Sequence, residues 1–174
     1  MKTIQTILLS LIFVGLGLGQ YPLDIINNNV VGAGGIWVGK TTLDQARIQF
    51  GEHENVALNF IYDQPFGESG KLYFAAIKVS GISMYWSIVV SEGRVTKLFI
   101  KTLIDANNPQ DNEEILTGLY SLTVKDRVAR LGYPQNEFGG LKGWSYNNTS
   151  YDLMLARNNS GSLQMTEAIY LNPE

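Results

Sequence analysis

"ISMYWSIVVSEGRVTKLFIK", Ile82 to Lys101, holds two runs of β-branched and aromatic residues around a short polar turn, "SEGR" at Ser91 to Arg94. That combination specifies an antiparallel hairpin, because such side chains suit a half-buried strand and a glycine supplies the turn. Side chains alternate between the faces of a strand. Met84, Trp86, Ile88 and Val90 are therefore the expected core set, with Tyr85 and Ser87 on the opposite face. In the second strand the outward residues Lys97 and Lys101 bring Phe99 with them.

Similar alternating segments lie on both sides of this hairpin. Val56 to Tyr62 and Lys71 to Val79 precede it; Gly143 to Tyr146, Ser150 to Ala156 and Ser162 to Leu171 follow, with "NNSG" at Asn158 to Gly161 as a second turn. In the last segment Ser162, Gln164, Thr166 and Tyr170 share the polar side. Two short helices are expected. Thr42 to Phe50 has a threonine cap, Leu43, Ala46 and Phe50 at helical spacing, and Gly51 as a stop. Thr123 to Leu131 repeats the plan with Val124, Val128 and Leu131, then Gly132 and Pro134. Between the two meanders, the polar, proline-bearing "DANNPQDNEE" reads as a linker running into a short helix around Glu113 to Leu119. The expected fold class is α+β, with two similar halves, each of short helices packed on an antiparallel meander. Residues 20–104 make the first half, 105–112 the linker and 113–174 the second half, an internal duplication.

"GGIWVGKT", Gly34 to Thr41, matches the letters of a nucleotide P-loop. The context argues against that chemistry, which needs a buried strand, a phosphate-cradling loop of small residues and a helix behind it. Three asparagines, Asn27 to Asn29, stand where the buried strand would be, and bulky Ile36, Trp37 and Val38 fill the loop. The motif reads instead as a short strand or hydrophobic lead-in to a helix capped by Thr41 or Thr42.

Met1 and Lys2 followed by an apolar run from Ile7 to Leu18, with small residues at Gly17 to Gly19, have the plan of a signal peptide over residues 1–19. A secreted or periplasmic protein beginning near Gln20 is expected, with no stable membrane anchor once the signal is removed. The chain has no cysteine, which excludes disulfides, thiolate metal ligands and a lipidated cysteine. Lys2 is the only charged residue before Gln20, so removal of the signal leaves 12 basic and 16 acidic residues. A net acidic chain disfavours nucleic acid as a partner, and no nucleotide is expected either.

The succession "LTVKDRVARLGYP" at Leu122 to Pro134, "GWSY" at Gly143 to Tyr146 and "YDLMLARNNSGSLQMTEAIYL" at Tyr151 to Leu171 resembles the small outer-membrane-assembly lipoprotein family. "VGKTTLDQARIQFGE" at Val38 to Glu52 echoes it in the first half, with Gly39-Lys40-Thr41 at the place of that family's Gly-Met-Thr helix start. The resemblance implies two helices against a three-stranded antiparallel sheet in each unit. Two units in one exported chain are similar to the β-lactamase-inhibitor-protein arrangement. Without cysteine, neither the lipid tether of the first group nor the disulfide-closed loops of the second carry over, and no contact residue transfers.

Candidates for catalysis are thin. His53, the sole histidine, lies in the polar "GEHEN", and a lone histidine cannot make a histidine-based zinc site. Asp111, Glu113 and Glu114 cluster at a helix start, where carboxylates favour the helix dipole. No Gly-x-Ser-x-Gly elbow occurs. Catalytic, cofactor and metal residues are therefore assigned to none. The aromatic residues Tyr62, Tyr73, Tyr85, Trp86, Trp144, Tyr146, Tyr151 and Tyr170 lie on or beside expected strands, and a sheet covered by helices on one side leaves its other face to water. Tyr85, Lys97, Phe99, Gln164 and Tyr170 are the expected partner-binding set on that face. The function expected is non-enzymatic binding of a protein in the envelope or extracellular space. The alternative is a small-molecule carrier or small secreted enzyme with a pocket between the halves.

Overall fold

A computed structural model describes residues 23–51, 56–57, 64–66, 70–79, 82–104 and 109–172. The signal segment 1–19, His53 and Tyr62 lie outside these residues. The chain opens with a small antiparallel sheet of β1 (Leu23–Ile26), β2 (Asn29–Ala33) and β3 (Ile36–Trp37), followed by helix α1 (Leu43–Gly51). Next come β4 (Val56–Ala57), β5 (Gln64–Phe66), β6 (Gly70–Val79), β7 (Ile82–Ser91) and β8 (Arg94–Ile104). Helix α2 (Pro109–Leu131) leads to β9 (Asn136–Phe138), β10 (Leu141–Ser145), β11 (Thr149–Arg157) and β12 (Leu163–Leu171). These strands β4 to β12 form one antiparallel sheet in the order β4-β6-β7-β8-β12-β11-β10-β9, with β5 also on β6. The fold is thus mixed helix and sheet, as expected for α+β.

The expected hairpin is present: Ser91 pairs with Arg94, and Glu92 and Gly93 both have positive φ. Met84, Trp86, Ile88 and Val90 are all buried. Their neighbours across the sheet are Ile100 opposite Trp86 and Leu98 opposite Ile88, then Ile169 opposite Leu98 and Tyr151 opposite Ile169. Onto this face pack α2, through Ile115 and Leu116, and the small sheet, through Leu23, Val30, Ala33 and Ile36. Trp86, Trp144 and Tyr151 are wholly enclosed. Large aromatic side chains bury the most area per residue, so these three are major contributors to the hydrophobic stabilisation of this layer.

Asn27 and Asn28, read as unfit for the buried parallel strand of a P-loop, form the two-residue turn of an antiparallel β1–β2 hairpin with φ of 50° and 63°. Asparagine tolerates that left-handed conformation better than most residues, and primed turns match the twist of the flanking strands. Two expectations are corrected along α2. The expected linker 105–112 ends early: Pro109 opens α2, a position where its missing N–H leaves no hydrogen bond unmade. The short helix around Glu113 to Leu119 and the helix from Thr123 to Leu131 are one helix of 23 residues. Thr123 does not cap it; its hydroxyl donates to the Leu119 carbonyl one turn back, at 2.9 Å.

The stop at Gly132 holds. With φ of 81°, it donates its N–H to the Val128 carbonyl at 3.0 Å, the single-bond left-handed cap, and its own carbonyl accepts the Trp144 indole N–H at 2.9 Å. Gly51, by contrast, is the last residue inside α1 rather than the residue after it.

Candidate functional site

Register decides which side chains meet on the open side of the large sheet. Residues directly opposite each other share a face. Tyr85 pairs with Lys101, Lys101 with Thr166, Thr166 with Met154, Met154 with Leu141 and Leu141 with Phe138. The next row runs Ser87, Phe99, Ala168, Asp152 and Gly143; a third runs Val89, Lys97, Tyr170 and Ser150. Gln164, opposite Ala156, has the same parity on β12 as Thr166 and Tyr170. Tyr85, Lys97, Phe99, Gln164 and Tyr170 therefore lie on one face, opposite to that covered by α2 and the small sheet. The first row crosses six strands, roughly 24 Å at the usual spacing between strands.

The face is less open than the sequence reading expected. Tyr85 is 40% exposed, whereas Lys97, Phe99, Gln164 and Tyr170 are half-buried and Val89 is buried. Phe99 stands between the small Ser87 and Ala168 across the sheet and between Lys97 and Lys101 along its strand. The Tyr170 hydroxyl donates to Asp152 Oδ2 at 2.9 Å. Partial burial, then that bond to a carboxylate, raises the Tyr170 pKa above the ordinary tyrosine value.

Sequence reasoning missed Leu141, Met154 and above all Phe138, which is 86% exposed at the far end of the Tyr85 row. The available signal was "FGGL", a Gly139-Gly140 turn between Phe138 and Leu141. Other aromatic residues from the sequence set belong to the core: Tyr73, Trp86, Trp144 and Tyr151 are buried.

On the covered face sits an ionic cluster that the sequence did not reveal. Arg127, on α2, donates from Nη2 to Glu167 Oε2 at 3.0 Å and from Nε to the Tyr151 hydroxyl at 3.0 Å. The Tyr151 hydroxyl donates to the same Glu167 oxygen at 2.5 Å, and Nη1 of Arg127 reaches Asp126 at 2.6 Å. Burial disfavours the Arg127 charge, but the Glu167 carboxylate and the hydrogen bonds from this cluster outweigh it and raise its pKa. Burial, reinforced by Glu167, keeps Tyr151 protonated well above the usual tyrosine range. Arg127, Tyr151 and Glu167 thus bond to one another in a closed triangle, which is the pattern of an internal clamp between α2 and the sheet.

One of the acidic residues read at the start of α2 is tied into structure as well. Glu113 accepts two bonds from Arg157 at 2.6 and 2.8 Å, which lower its pKa. Among the described residues no group of three or more acidic or histidine side chains is placed to hold a metal ion.

The Gly34–Thr41 stretch has its own geometry. Gly34 and Gly35 make the two-residue turn between β2 and β3. Thr42 caps α1 in a reciprocal box: its hydroxyl accepts the Gln45 N–H at 3.3 Å and its N–H donates to Gln45 Oε1 at 2.9 Å. The backbone N–H of Gly35 goes to Asp24, that of Trp37 to Thr41 Oγ1, that of Gly39 to Val95, and those of Lys40 and Thr41 to the Trp37 carbonyl. Those amides are not available to cradle a phosphate.

No known protein family, characterised protein or solved structure matches this chain. Among the described residues, no helix is long and apolar enough to cross a membrane.

Proposed function

We propose that the chain is an exported, non-enzymatic binding protein that holds a protein partner in the envelope or extracellular space against the open face of its large sheet. One observation carries this reading. Register assembles Tyr85, Lys97, Phe99, Gln164 and Tyr170, from three strands and both halves of the chain, on the face opposite the core, and extends their aromatic character to Phe138. Aromatic side chains are the residues enriched in protein-binding surfaces and the commonest anchors there, and the lysines of this face flank Phe99 on β8.

The two-half organisation belongs to the same proposal. β6-β7-β8 and β10-β11-β12 are two meanders whose last strands, β8 and β12, meet antiparallel at the middle of the sheet. A two-fold rotation about that junction exchanges one strand order for the other. Each meander also follows a helix. This supports a duplicated unit, with α2 lengthened relative to α1, and the proposed binding surface spans its junction.

The test compares capture by the wild-type protein, Tyr85→Ala and Phe138→Ala from the secretome or envelope extract of the source organism, followed by affinity measurement on the captured partner. Both side chains are exposed, so folding should be retained. Each substitution should weaken binding by at least about fivefold if the residue is an anchor. A folded double variant that holds the same partner at unchanged affinity would refute the proposal.

A further inference from the structure

The stretch that imitates a P-loop borders an open depression of about 410 Å³, lined by Gly35, Trp37, Lys40, Gln45, Ile48 and Gln49 together with the buried Thr41. It shares no residue with the sheet face. Its volume lies within the range of small-ligand sites. Trp37 is held in place by a bond from its indole N–H to Asp24 Oδ2 at 3.0 Å, and the Lys40 ammonium stands 5.4 Å from the centre of the indole ring. Across from them, Gln45, Ile48 and Gln49 occupy positions i, i+3 and i+4 of α1, one face of the helix. Ile48 is 61% exposed. Gln45 has spent its Oε1 on the helix cap, so its amide N–H₂ remains as a donor. Gln49 lies along Gly35, where a Cβ would come within 3.0 Å of its Nε2. Among the described residues, no acidic side chain lines the depression.

This set discriminates between ligand chemistries. A phosphate would need backbone amides as well as the lysine, and those amides already have acceptors within the protein. A purely apolar acid would cover two carboxamides without satisfying them, which is unfavourable. A hydroxylated ring bearing one carboxylate uses every group. We infer that the depression binds an acidic sugar unit, its carboxylate against Lys40, its hydroxyls against Gln45 and Gln49, and its apolar ring surface against Trp37 and Ile48. The unit could be supplied as a free sugar or as part of a glycan.

The test follows the indole N–H signals of the three tryptophans by NMR, with Trp37 assigned through Trp37→Phe. Trp86 and Trp144 are fully buried and serve as references. D-glucuronate should shift the Trp37 signal saturably while leaving the references still, and should bind about fivefold more tightly than D-glucose, the scale of an exposed ion pair. Lys40→Gln should bring glucuronate down to the glucose affinity and leave glucose unchanged. An oligogalacturonate that binds more tightly per unit than D-galacturonate would assign a glycan source; equal binding per unit would assign the free sugar. Inorganic phosphate or benzoate matching glucuronate, an unchanged response in Lys40→Gln, or no saturable shift of Trp37 would each overturn the inference.

Discussion

Replacing Arg127 by methionine should destabilise the protein by about 3 kcal/mol, because it strands a buried carboxylate. Arg127 and Glu167 are each only 13% exposed, and the guanidinium supplies two of the bonds that hold the cluster together. Breaking a buried pair from one side typically costs about 3–5 kcal/mol. The low end applies here because the Tyr151 hydroxyl still donates to Glu167 in the variant. For a chain of this length the loss corresponds to a melting point lower by roughly 6–12 °C. The double variant Arg127→Met with Glu167→Leu buries no charge and leaves chiefly the Tyr151 hydroxyl without its acceptor. Its loss should be only about 1–2 kcal/mol, far below the sum of the single losses. Urea unfolding of the four proteins measures all these values in one cycle. A single variant within about 1 kcal/mol of wild type, or a double variant as unstable as the two singles added, would refute the clamp between α2 and the sheet.

Two glycines should respond differently to alanine. Gly132 has φ of 81° with open space where a Cβ would go, so Gly132→Ala should lose about 1 kcal/mol to backbone strain alone. At Gly32 a Cβ would fall 2.0 Å from the Ile36 carbonyl oxygen, and Gly32→Ala should lose about 3 kcal/mol or break the β2–β3 pairing; equal losses in urea melts would contradict this. Stability should also fall at alkaline pH. Tyr151 is raised above the unfolded tyrosine value, by burial first and by Glu167 second, so its contribution is complete below about pH 10 and is lost as pH rises through the folded value. Tyr151→Phe should flatten that alkaline decline, and an unchanged slope would count against the assignment.

The hairpin of β7 and β8, its turn at Ser91 to Arg94 and the parity that buries Met84, Trp86, Ile88 and Val90 were legible in the sequence. Each rests on interactions a few residues long: strand propensity, a turn with positive φ and the two-residue period of a strand. The caps at Thr42 and Gly132 were legible for the same reason. Pro109 was misread although its local chemistry is simple, since a proline can sit in a linker or open a helix and only the packing around it selects one. The course of α2 through Thr123 was settled by Ile115 and Leu116, which anchor its first turns in the core. The open face is divided between the two levels. The sequence placed Tyr85, Lys97, Phe99, Gln164 and Tyr170 on the outward side of their own strands, because parity is local. That β8 pairs with β12, bringing Lys97 beside Tyr170 and carrying the row on to Phe138, is a contact across more than 70 residues. The same holds for Arg127 under Glu167, 40 residues apart. Side chains distant along the chain are brought together only when the core closes, so register and site geometry belong to the tertiary structure.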